Sequence, residues 1–278
     1  MADTKTRLIA DSGSTKTSWL YIDGDTQQEF ETLGINPVRD SEDTIATIIN
    51  SIPSLHSKLS TLNFYGAGCI PPYSDIVRKV LQQRFPEAEI HVDSDLLGAA
   101  HALCGHHEGI ACILGTGSNS CLYDGHQIVE NVSPLGWILG DEGSGAVLGR
   151  LLVGNVLKQQ FSPTLCKAFE QETGLTRTDI INKVYRESMP NRFLASLVPF
   201  LSRHRDSDEV HQFVIDEFRR FLQRNVATYH RPDLPVSFVG GVAATFQAEL
   251  TQALHLEGLT LGTILRRPIT SLAHHLMG

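Results

Sequence analysis

The hydrophobic and polar residues of this chain alternate with a period that changes from segment to segment. Between residues 7 and 34, runs of β-branched and aromatic residues are separated by small polar turns, which predicts three strands in a meander. A helical pattern follows at about 40–58. Next come a strand in TLNFYG, a helix in YSDIVRKVLQQRF, a strand in AEIHV and a helix in SDLLGAAHALCG. This order of elements is typical of an α/β fold.

The pattern begins again in GIACILGTGSNSCLYDGHQIVENV. An apolar strand, a Gly/Ser/Thr turn, a second strand and an Asp-Gly turn occur there in the same order as in LIADSGSTKTSWLYIDG. Both copies carry Leu-Tyr near the end of the second strand, at Leu20-Tyr21 and Leu122-Tyr123. Any two hairpins can share turn chemistry, but this sequential match favours an internal duplication.

After Val132 the pattern is mostly helical, and PVSFVGGVAATFQAEL then reads as strand, Gly-Gly turn and helix. The segment LTLGTILRRPITSLAHHLMG predicts a last strand and a closing helix. We therefore predict an N-terminal domain over 1–108 and a C-terminal domain with a helical insertion over 109–265. The helix at 266–278 is a candidate to complete the first domain.

The turn in IADSGSTKTSW has the composition of a phosphate loop without being a Walker A loop. A Walker A loop places Gly directly before Lys and opens into a helix. Here Thr15 precedes Lys16, and the residues that follow suit a strand. Lys16 is therefore interpreted either as a phosphate-neutralising group or as a solvated lysine of a hairpin.

Two glycine-bearing turns, one from each half, can face each other across a cleft and bind a nucleotide. Their backbone N–H groups can bind phosphate oxygens, and their small side chains allow close approach. A carboxylate at Asp11 is suited to hold Mg²⁺ through water, because Mg²⁺ keeps much of its hydration. The predicted nucleotide contacts are Ser12, Gly13, Ser14, Thr15, Lys16, Gly115, Thr116 and Gly117, with Gly240, Gly241 and Thr245 at a third turn.

The charge balance narrows the classes of partner. The formal net charge is −8 and the sequence pI is about 5.8. Such a balance disfavours non-specific binding to nucleic acid or membranes, although it leaves a local basic groove open. No apolar run has the length of a membrane span, and the first residues lack the apolar core of a signal peptide. We expect a cytoplasmic protein without nucleic-acid or membrane partners.

The cysteines and histidines do not have the spacing of a metal site. The five cysteines form no C-x-x-C pair and fall mostly in apolar contexts, which predicts buried thiols in a reducing compartment. The histidine pairs His106-His107 and His274-His275 are adjacent residues, which point in different directions on most backbones.

Four stretches carry a resemblance to a known family: DSGSTKTSW, GTGSNS, LGWILGDEGSGAVLG and FVGGVAATF. In this order and approximate spacing they resemble the actin–hexokinase–Hsp70 superfamily, in the branch of N-acetylglucosamine kinases and BadF/BadG-type ATPases. The resemblance spans nearly the whole chain. It implies an α/β fold of duplicated ribonuclease H-like, actin-like ATPase domains that flank a cleft for ATP and substrate. The implied reaction is transfer of a phosphoryl group from ATP, with Mg²⁺, to a sugar hydroxyl.

The resemblance implies that Asp95 is the catalytic base. The family's catalytic Asp precedes small residues that open a helix, and Asp95-Leu-Leu-Gly-Ala-Ala matches that pattern. Asp95 also stands at a strand-to-helix junction, where the cleft residues of open α/β sheets tend to lie. The alternative is an N-cap, but Asp93 or Ser94 could serve as the cap equally well.

The resemblance also implies a set of sugar contacts, each with a structural alternative. Asn36 could form an ordinary Asx turn before Pro37, and Trp137 could be a core residue. Asp141, with the adjacent Glu142, could be an acidic first turn of the next helix, a role compatible with sugar binding. The implied sugar contacts are Asn36, Asp95, Ser118, Asn119, Gly136, Trp137 and Asp141.

The acceptor is expected to be N-acetylglucosamine or N-acetylmuramic acid, phosphorylated on its 6-hydroxyl. The stretch from Trp137 to Asp141 is shorter than in animal N-acetylglucosamine kinases, so the acceptor is less fixed than the reaction. One alternative is an ATPase that activates a reductase through an iron–sulfur cluster held between subunits, for which Cys166 is the candidate ligand. A second alternative is a non-catalytic nucleotide- and sugar-binding regulator. Family analogy implies a homodimer.

Overall fold

The computed structural model describes residues 6–13 and 15–277, and they form two compact units. The first unit extends to His107 and also contains residues 124–128 and the segment that begins at Arg267. The second unit contains residues 108–123 and 129–266. Ser14, one of the predicted nucleotide contacts, lies outside the described residues. Throughout the described part of the chain, every helix is too short or too polar to cross a lipid bilayer.

The first unit is built on a five-stranded mixed sheet in the order β3-β2-β1-β4-β5. Its strands are β1 (Arg7–Ser12), β2 (Lys16–Asp23), β3 (Thr26–Leu33), β4 (Thr61–Gly66) and β5 (Glu89–Ser94). The first three form the expected antiparallel meander, and β4 and β5 extend the sheet parallel to β1. Parallel strands end at one edge of a sheet, so residues that follow β1, β4 and β5 collect there.

Helices cover both faces of this sheet. They are α1 (Glu42–Asn50), α2 (Ser74–Arg84), α3 (Asp95–Cys104) and the last helix, α13 (Ile269–Met277). Apolar residues of α1 and α2 pack on the face that includes Leu8, and those of α3 and α13 pack on the face that includes Ile9. The prediction of a helix over 40–58 was too long, because α1 ends at Asn50. Pro53 follows that end, and proline cannot supply the N–H that a continuing helix needs.

The second unit repeats the sheet of the first. Its strands are β6 (Glu108–Leu114), β7 (Ser118–Asp124), β8 (Ile128–Glu130), β9 (Val236–Val239) and β10 (Leu261–Leu265). Their order is β10-β9-β6-β7-β8, with β9 parallel to both β6 and β10. Counted within each unit, both sheets follow the order 3-2-1-4-5, which confirms the duplication.

Most of the second unit is helical, as predicted. Its helices are α4 (Gly136–Leu139), α5 (Gly145–Leu157), α6 (Pro163–Thr173), α7 (Arg177–Tyr185), α8 (Pro190–Ala195), α9 (Val198–Arg203), α10 (Asp208–Phe221), α11 (Gly241–Thr245) and α12 (Gln247–Leu256). After α10 a π-helical turn covers Leu222–Val226. The packing of α5 on α8 depends on Gly149, because a Cβ there would lie 1.9 Å from the carbonyl oxygen of Leu194.

Candidate active site

Two carboxyl groups meet at the carboxyl-end edge of the first sheet. Asp11 lies in β1, and Asp95 begins α3 directly after β5. Burial, and secondly the charge of Asp95, raise the pKa of Asp11 to about 7 against the opposing effect of Lys16. Burial raises the pKa of Asp95 to about 6, although the N–H groups of Leu96 and of Asp95 itself hold it down. The two groups are therefore basic for carboxylates and electrostatically coupled.

Asp95 is not needed to cap α3. The N-cap is Ser94, whose hydroxyl accepts a hydrogen bond of 3.2 Å from the backbone N–H of Leu97. Ser94, and not Asp95, therefore fills the N-cap role that the sequence left open. The carboxylate of Asp95 is left for another role, and a carboxylate whose pKa is near 6 is ionised at neutral pH yet well suited to accept a proton.

The pair of carboxyl groups has the chemistry of a Mg²⁺ site. Asp11 and Asp95 raise the cost of their joint ionisation, and a divalent cation would offset that cost with the oxygen ligands that Mg²⁺ prefers. Within residues 6–13 and 15–277, no group of three His, Cys, Asp or Glu side chains is arranged to hold a metal. Asp11 could hold a Mg²⁺ ion together with water molecules or phosphate oxygens, since Mg²⁺ usually binds through one or two carboxylates.

Lys16, at the start of β2, is paired within the first unit. Its ammonium group lies 2.5 Å from the carboxylate of Glu31, and Arg267 lies 3.3 Å from the same carboxylate. The Lys16 and Glu31 side chains are each nearly half exposed. This arrangement agrees with the solvated-hairpin interpretation of Lys16. A phosphate would have to compete with Glu31 for the ammonium group.

The turn between β1 and β2 is fixed by its own hydrogen bonds. The hydroxyl of Ser12 is fully buried, contacts Thr17 Oγ1 at 2.8 Å and accepts a bond of 3.0 Å from the N–H of Ile35. The N–H of Gly13 donates to the carbonyl of Lys16, and the N–H of Gly34 donates to the carbonyl of Thr15. The Ser12 hydroxyl therefore shapes the turn from inside the fold.

Asn36 follows β3 and forms the Asx turn that the sequence offered as an alternative. Its side-chain oxygen accepts a bond of 3.1 Å from the N–H of Val38, and its own N–H donates to Asp40 at 2.8 Å. A Cβ at Gly68 would lie 2.5 Å from that side-chain oxygen, so Gly68 leaves the space that the Asn36 side chain occupies. The Asx turn fixes the orientation of the Asn36 amide.

The matching turn of the second unit, between β6 and β7, rests on the first turn of α5. The N–H groups of Gly145 and Ala146 donate to the carbonyls of Gly115 and Thr116 at 2.8 and 3.0 Å. Ser144 caps the helix through the N–H of Val147. The conformation of the turn is therefore coupled to the segment that leads into α5.

Asp141 lies in that segment and reaches back to the turn. The N–H of Ser118 donates to its carboxylate, and a Cβ at Gly117 would lie 3.1 Å from one of its oxygens. Burial raises the pKa of Asp141 to about 6, the Ser118 N–H lowers it and the charge of Glu142 raises it. Asp141 has a positive φ of 50°, which is uncommon outside glycine. Its side chain is therefore held against the turn. The acidic first turn that the sequence offered as an alternative is not formed, because α5 begins at Gly145 after the N-cap Ser144.

Of the other predicted sugar contacts of the second unit, Gly136 and Trp137 lie close to Asp141 in the chain, and Asn119 lies in β7. Trp137, in α4, is partly buried against the core of its unit, in agreement with the structural alternative. The side-chain oxygen of Asn119 accepts bonds of 2.9 Å from the N–H of Ser120 and from Asn131. Glu142 forms an ion pair of 2.6 Å with Arg224. Gly136 opens α4 with a positive φ of 73°.

The third glycine turn joins β9 to α11 and lies beside the second turn. A Cβ at Gly240 would lie 2.2 Å from the carbonyl oxygen of Leu114, so only glycine allows these two backbone segments to approach. Gly241 is exposed, and the carbonyl of Thr245 accepts a bond of 2.9 Å from Arg205. Arg205 lies in the connection between α9 and α10, where a charged residue carries no periodic signal that would predict this contact.

Comparison with protein-family models and with curated proteins gave no match. Among solved structures, the chain is similar to a "Putative N-acetylglucosamine Kinase" of Porphyromonas gingivalis, with 49% identity, 96% of this chain and 97% of that chain covered, and a TM-score of 0.93. A second protein of the same description, from Chromobacterium violaceum, has 18% identity, 98% of each chain covered and a TM-score of 0.72. A non-polymerising MamK variant bound to AMPPNP has 12% identity, 99% and 98% coverage and a TM-score of 0.52.

Proposed function

This chain belongs to the N-acetylglucosamine kinase family of the actin–hexokinase–Hsp70 superfamily, and we propose that it transfers the γ-phosphate of ATP to the 6-hydroxyl of an amino sugar. The two sheets of identical strand order and the structural neighbours show the duplicated actin-like ATPase fold. N-acetylglucosamine is the first candidate acceptor, and N-acetylmuramic acid is the second. A cytoplasmic location and a homodimer stay predictions.

The observation that carries this proposal is the position and the raised pKa of Asp95. Its carboxyl group lies at the junction of β5 and α3, and burial raises its pKa to about 6. Because Ser94 caps α3, the Asp95 carboxylate is not needed as a cap. Phosphoryl transfer to a hydroxyl needs a group that orients the nucleophile and accepts its proton. In the proposed reaction Asp95 takes the proton of the sugar 6-hydroxyl.

The nucleotide is proposed to contact the glycine turns of both units. Backbone N–H groups around Gly13 and Gly117 would bind phosphate oxygens, and the Gly240-Gly241 turn would admit the nucleoside. Mg²⁺, when bound, would neutralise phosphate charge. Asp11 would hold that ion, and the approach of Lys16 to the phosphates would require it to leave Glu31.

The sugar is proposed to be held by polar groups on short, fixed segments. Asn36 is oriented by its Asx turn, and Asp141 is oriented by the Ser118 N–H. Gly136 and Trp137 belong to the same segment as Asp141, and Ser118 and Asn119 follow the second glycine turn. Groups fixed in this way lose little freedom when they bind a ring hydroxyl, which favours a defined acceptor.

The burial of Cys166 argues against the alternative function as an activating ATPase with an iron–sulfur cluster. Cys166 lies in α6 with 3% of its surface exposed, among the apolar core residues of the second unit. Its thiol faces the carbonyls of Val156 and Phe161. A ligand shared between subunits would have to be exposed, so this cysteine does not support that function.

A panel assay tests the proposed function. ADP release is measured with ATP and Mg²⁺ and, in turn, glucose, glucosamine, N-acetylglucosamine and N-acetylmuramic acid, and the sugar product is analysed for phosphate at position 6. We expect turnover with an N-acetylated amino sugar. The variant Asp95→Asn should lose roughly 100-fold to 10,000-fold in kcat, the usual contribution of a positioned base, while ADP binding measured by calorimetry stays unchanged.

Two results would contradict this proposal. Absence of ADP release with every sugar, from protein that binds ADP, would show that the chain is not a kinase for these acceptors. Full turnover by Asp95→Asn would show that another residue accepts the proton.

A further inference from the structure

An open cavity of about 290 Å³ lies on the first unit, at the amino-end edge of the parallel strands β4 and β5. One wall is the connection between α1 and β4, and the other is the end of α2 with the connection to β5. Because β4 and β5 have six residues each, roughly 17 Å of strand separates this edge from the opposite one, where Asp95 lies. The volume is close to the lower end of the range for small-ligand sites.

Both walls of the cavity are fixed by hydrogen bonds. In the first wall, the N–H of Ser57 donates to the Tyr21 hydroxyl at 3.2 Å, and the Ser57 hydroxyl donates to Asp23 at 2.6 Å. In the second wall, the side-chain amide of Gln82 donates to the carbonyl of Pro86 at 3.0 Å. A ligand therefore does not have to order these connections when it binds, which lowers the entropic cost of binding.

The buried part of the lining is apolar. Leu59 and Phe85 are 7% and 8% exposed and belong to the core of the first unit. Leu55, which also lines the cavity, is partly buried and packs against the same core. An apolar group that enters the cavity is removed from water against these side chains, which favours its binding.

Arg84, at the end of α2, adds a partly buried positive charge to this lining. Its guanidinium carbon lies 5.2 Å from the centroid of the Phe85 ring. Among the residues that the structure describes, none forms an ion pair or a hydrogen bond with this guanidinium group. The partly buried Arg205, Arg219 and Arg231, in contrast, each pair with a carboxylate. The donors of Arg84 are therefore available to an oxyanion, with which a guanidinium group forms strong bonds.

Lys58 and Glu87 lie on opposite walls and form an ion pair at the rim of the cavity. The Lys58 ammonium group lies 2.8 Å from the Glu87 carboxylate, and both side chains are well exposed. Exposed pairs of this kind add little to stability. An anion in the cavity can therefore attract Lys58 away from Glu87, whereas Glu87 itself would repel the anion.

We propose that this cavity binds a small amphipathic anion, a carboxylate with an apolar body. Its charge lies between Arg84 and Lys58, and its apolar part packs against Leu59 and Phe85. Two cationic side chains and one carboxylate line the cavity, in a chain whose formal net charge is −8, so the local charge favours an anion. This inference goes beyond the proposed function and does not depend on it, because the residues that carry it lie at the edge of the first sheet opposite Asp95.

The test uses anilinonaphthalene sulfonate, a fluorescent anion with an apolar body. The dye is titrated with the full-length wild type and with Arg84→Gln, and phenylacetate or the uncharged phenylacetamide is then added as a competitor. We expect Arg84→Gln to weaken dye binding by about tenfold, the usual loss for one charge-assisted bond. Arg84→Lys should retain most of the affinity, because it keeps the charge. Phenylacetate, but not phenylacetamide, should displace the dye from the wild type.

Three further variants separate this cavity from other places where a dye can bind. Arg78→Gln removes an exposed positive charge from the same helix and should leave dye binding unchanged. Glu87→Gln removes the repelling carboxylate and frees Lys58, so it should tighten dye binding several-fold. If Arg84→Gln does not fold, Ser54→Phe fills the cavity from an exposed position of its wall without a change of charge, and it should weaken dye binding by a similar factor.

Several results would overturn this inference. They are absence of dye binding by the folded wild type, unchanged binding by folded Arg84→Gln and Ser54→Phe, and an equal loss in Arg78→Gln and Arg84→Gln. Equal displacement by phenylacetate and phenylacetamide would show that charge plays no part, and it would overturn the inference as well. Each of these results leaves sugar phosphorylation by the wild type untouched. Conversely, a wild type without kinase activity whose dye binding depends on Arg84 as described would support the anion site while the kinase proposal fails.

Discussion

The pKa values of the site carboxylates are set by burial and by the nearest polar groups. Asp11, Asp95 and Asp141 each have a raised pKa because they are removed from water, and Asp95 and Asp141 also accept hydrogen bonds from backbone N–H groups. Their positions after strands and beside glycine turns could be read from the sequence. Their pKa values could not, because burial depends on side chains far away in the chain.

The pair of carboxylates in the first unit should cost stability at neutral pH. A carboxyl group whose pKa is raised on folding contributes stability that is fully present below its unfolded value of 3.8 and is lost as pH rises through about 7. Asp11→Asn removes this loss. We expect its Tm at pH 8 to exceed that of the wild type by a few degrees, and the difference to shrink towards pH 4.

Differential scanning fluorimetry across that pH range measures the effect. Asp75→Asn, which changes an exposed carboxylate on α2, serves as the control and should not alter the pH slope. The same Tm difference at both pH values would show that Asp11 is not destabilised by its charge. A loss of Mg²⁺-dependent turnover in Asp11→Asn would be expected alongside.

At the scale of the elements, the packing of α5 on α8 depends on which glycine of α5 faces α8. In α5 two glycines have opposite surroundings. A Cβ at Gly149 would press against the Leu194 carbonyl at 1.9 Å, whereas nothing lies within 4 Å of a Cβ at Gly154. The sequence shows both glycines but not which one faces α8, because that depends on how a later helix returns to the core.

Alanine substitutions at these two positions should have opposite signs. Gly149→Ala must push α8 away from α5, so we expect a loss of about 3 kcal/mol in unfolding free energy. Gly154→Ala, in the same helix, should gain up to about 1 kcal/mol, because alanine favours the helix without a clash. Urea unfolding followed by circular dichroism measures both. A Gly149→Ala protein as stable as the wild type would mean that α5 and α8 are less closely packed.

Three imidazole rings pack together where α13 contacts α3 and the turn that follows α3. His275 lies 4.2 Å from His101 and 4.5 Å from His106 between ring centroids, and His101 Nδ1 contacts the Tyr65 hydroxyl at 3.1 Å. Burial, and secondly the neighbouring histidines, lower the pKa of His101 to about 4, and burial also lowers that of His275. These rings therefore pack best when they are neutral.

Acid should loosen this contact. A histidine whose pKa is lowered on folding contributes stability that is present above its unfolded value of 6.5 and is lost as pH falls towards about 4. His275→Phe keeps a ring but removes one proton site, so its Tm should fall less than that of the wild type between pH 7.5 and pH 5. His91→Phe, at an exposed position of β5, is the control. Equal slopes for all three proteins would contradict this account.

At the scale of the whole molecule, the duplication could be predicted because strand, turn, strand and turn recur in order. The identical order of the two sheets confirms it. The early end of α1 could also have been read from Pro53, since a proline inside a helical pattern ends the helix before it. The ion pair between Arg205 and Glu249 required the structure, because it joins residues that are 44 positions apart in the chain.

Nucleotide binding should protect two separate stretches of the chain. If the glycine turns of both units contact one nucleotide, hydrogen exchange should slow around Gly13 and around Gly117 when ADP and Mg²⁺ are added. Backbone N–H groups that bind phosphate oxygens open less often. Mass spectrometry of peptic peptides measures this, with the α7 peptide, which carries no predicted nucleotide contact, as the internal reference. Slower exchange at one turn only would show that the nucleotide is bound by a single unit.

The packing of α13 on the first sheet has a consequence for synthesis on the ribosome. Ile269, Leu272 and Ala273 complete the apolar layer that contains Ile9 and Leu20. The first two strands therefore gain their full packing only after the second unit and then α13 have been translated. The second unit has its own core and can fold first, whereas the first unit emerges with one sheet face covered by α3 but not yet by α13. Nascent chains arrested before Ile269 should therefore be the ones that recruit chaperones.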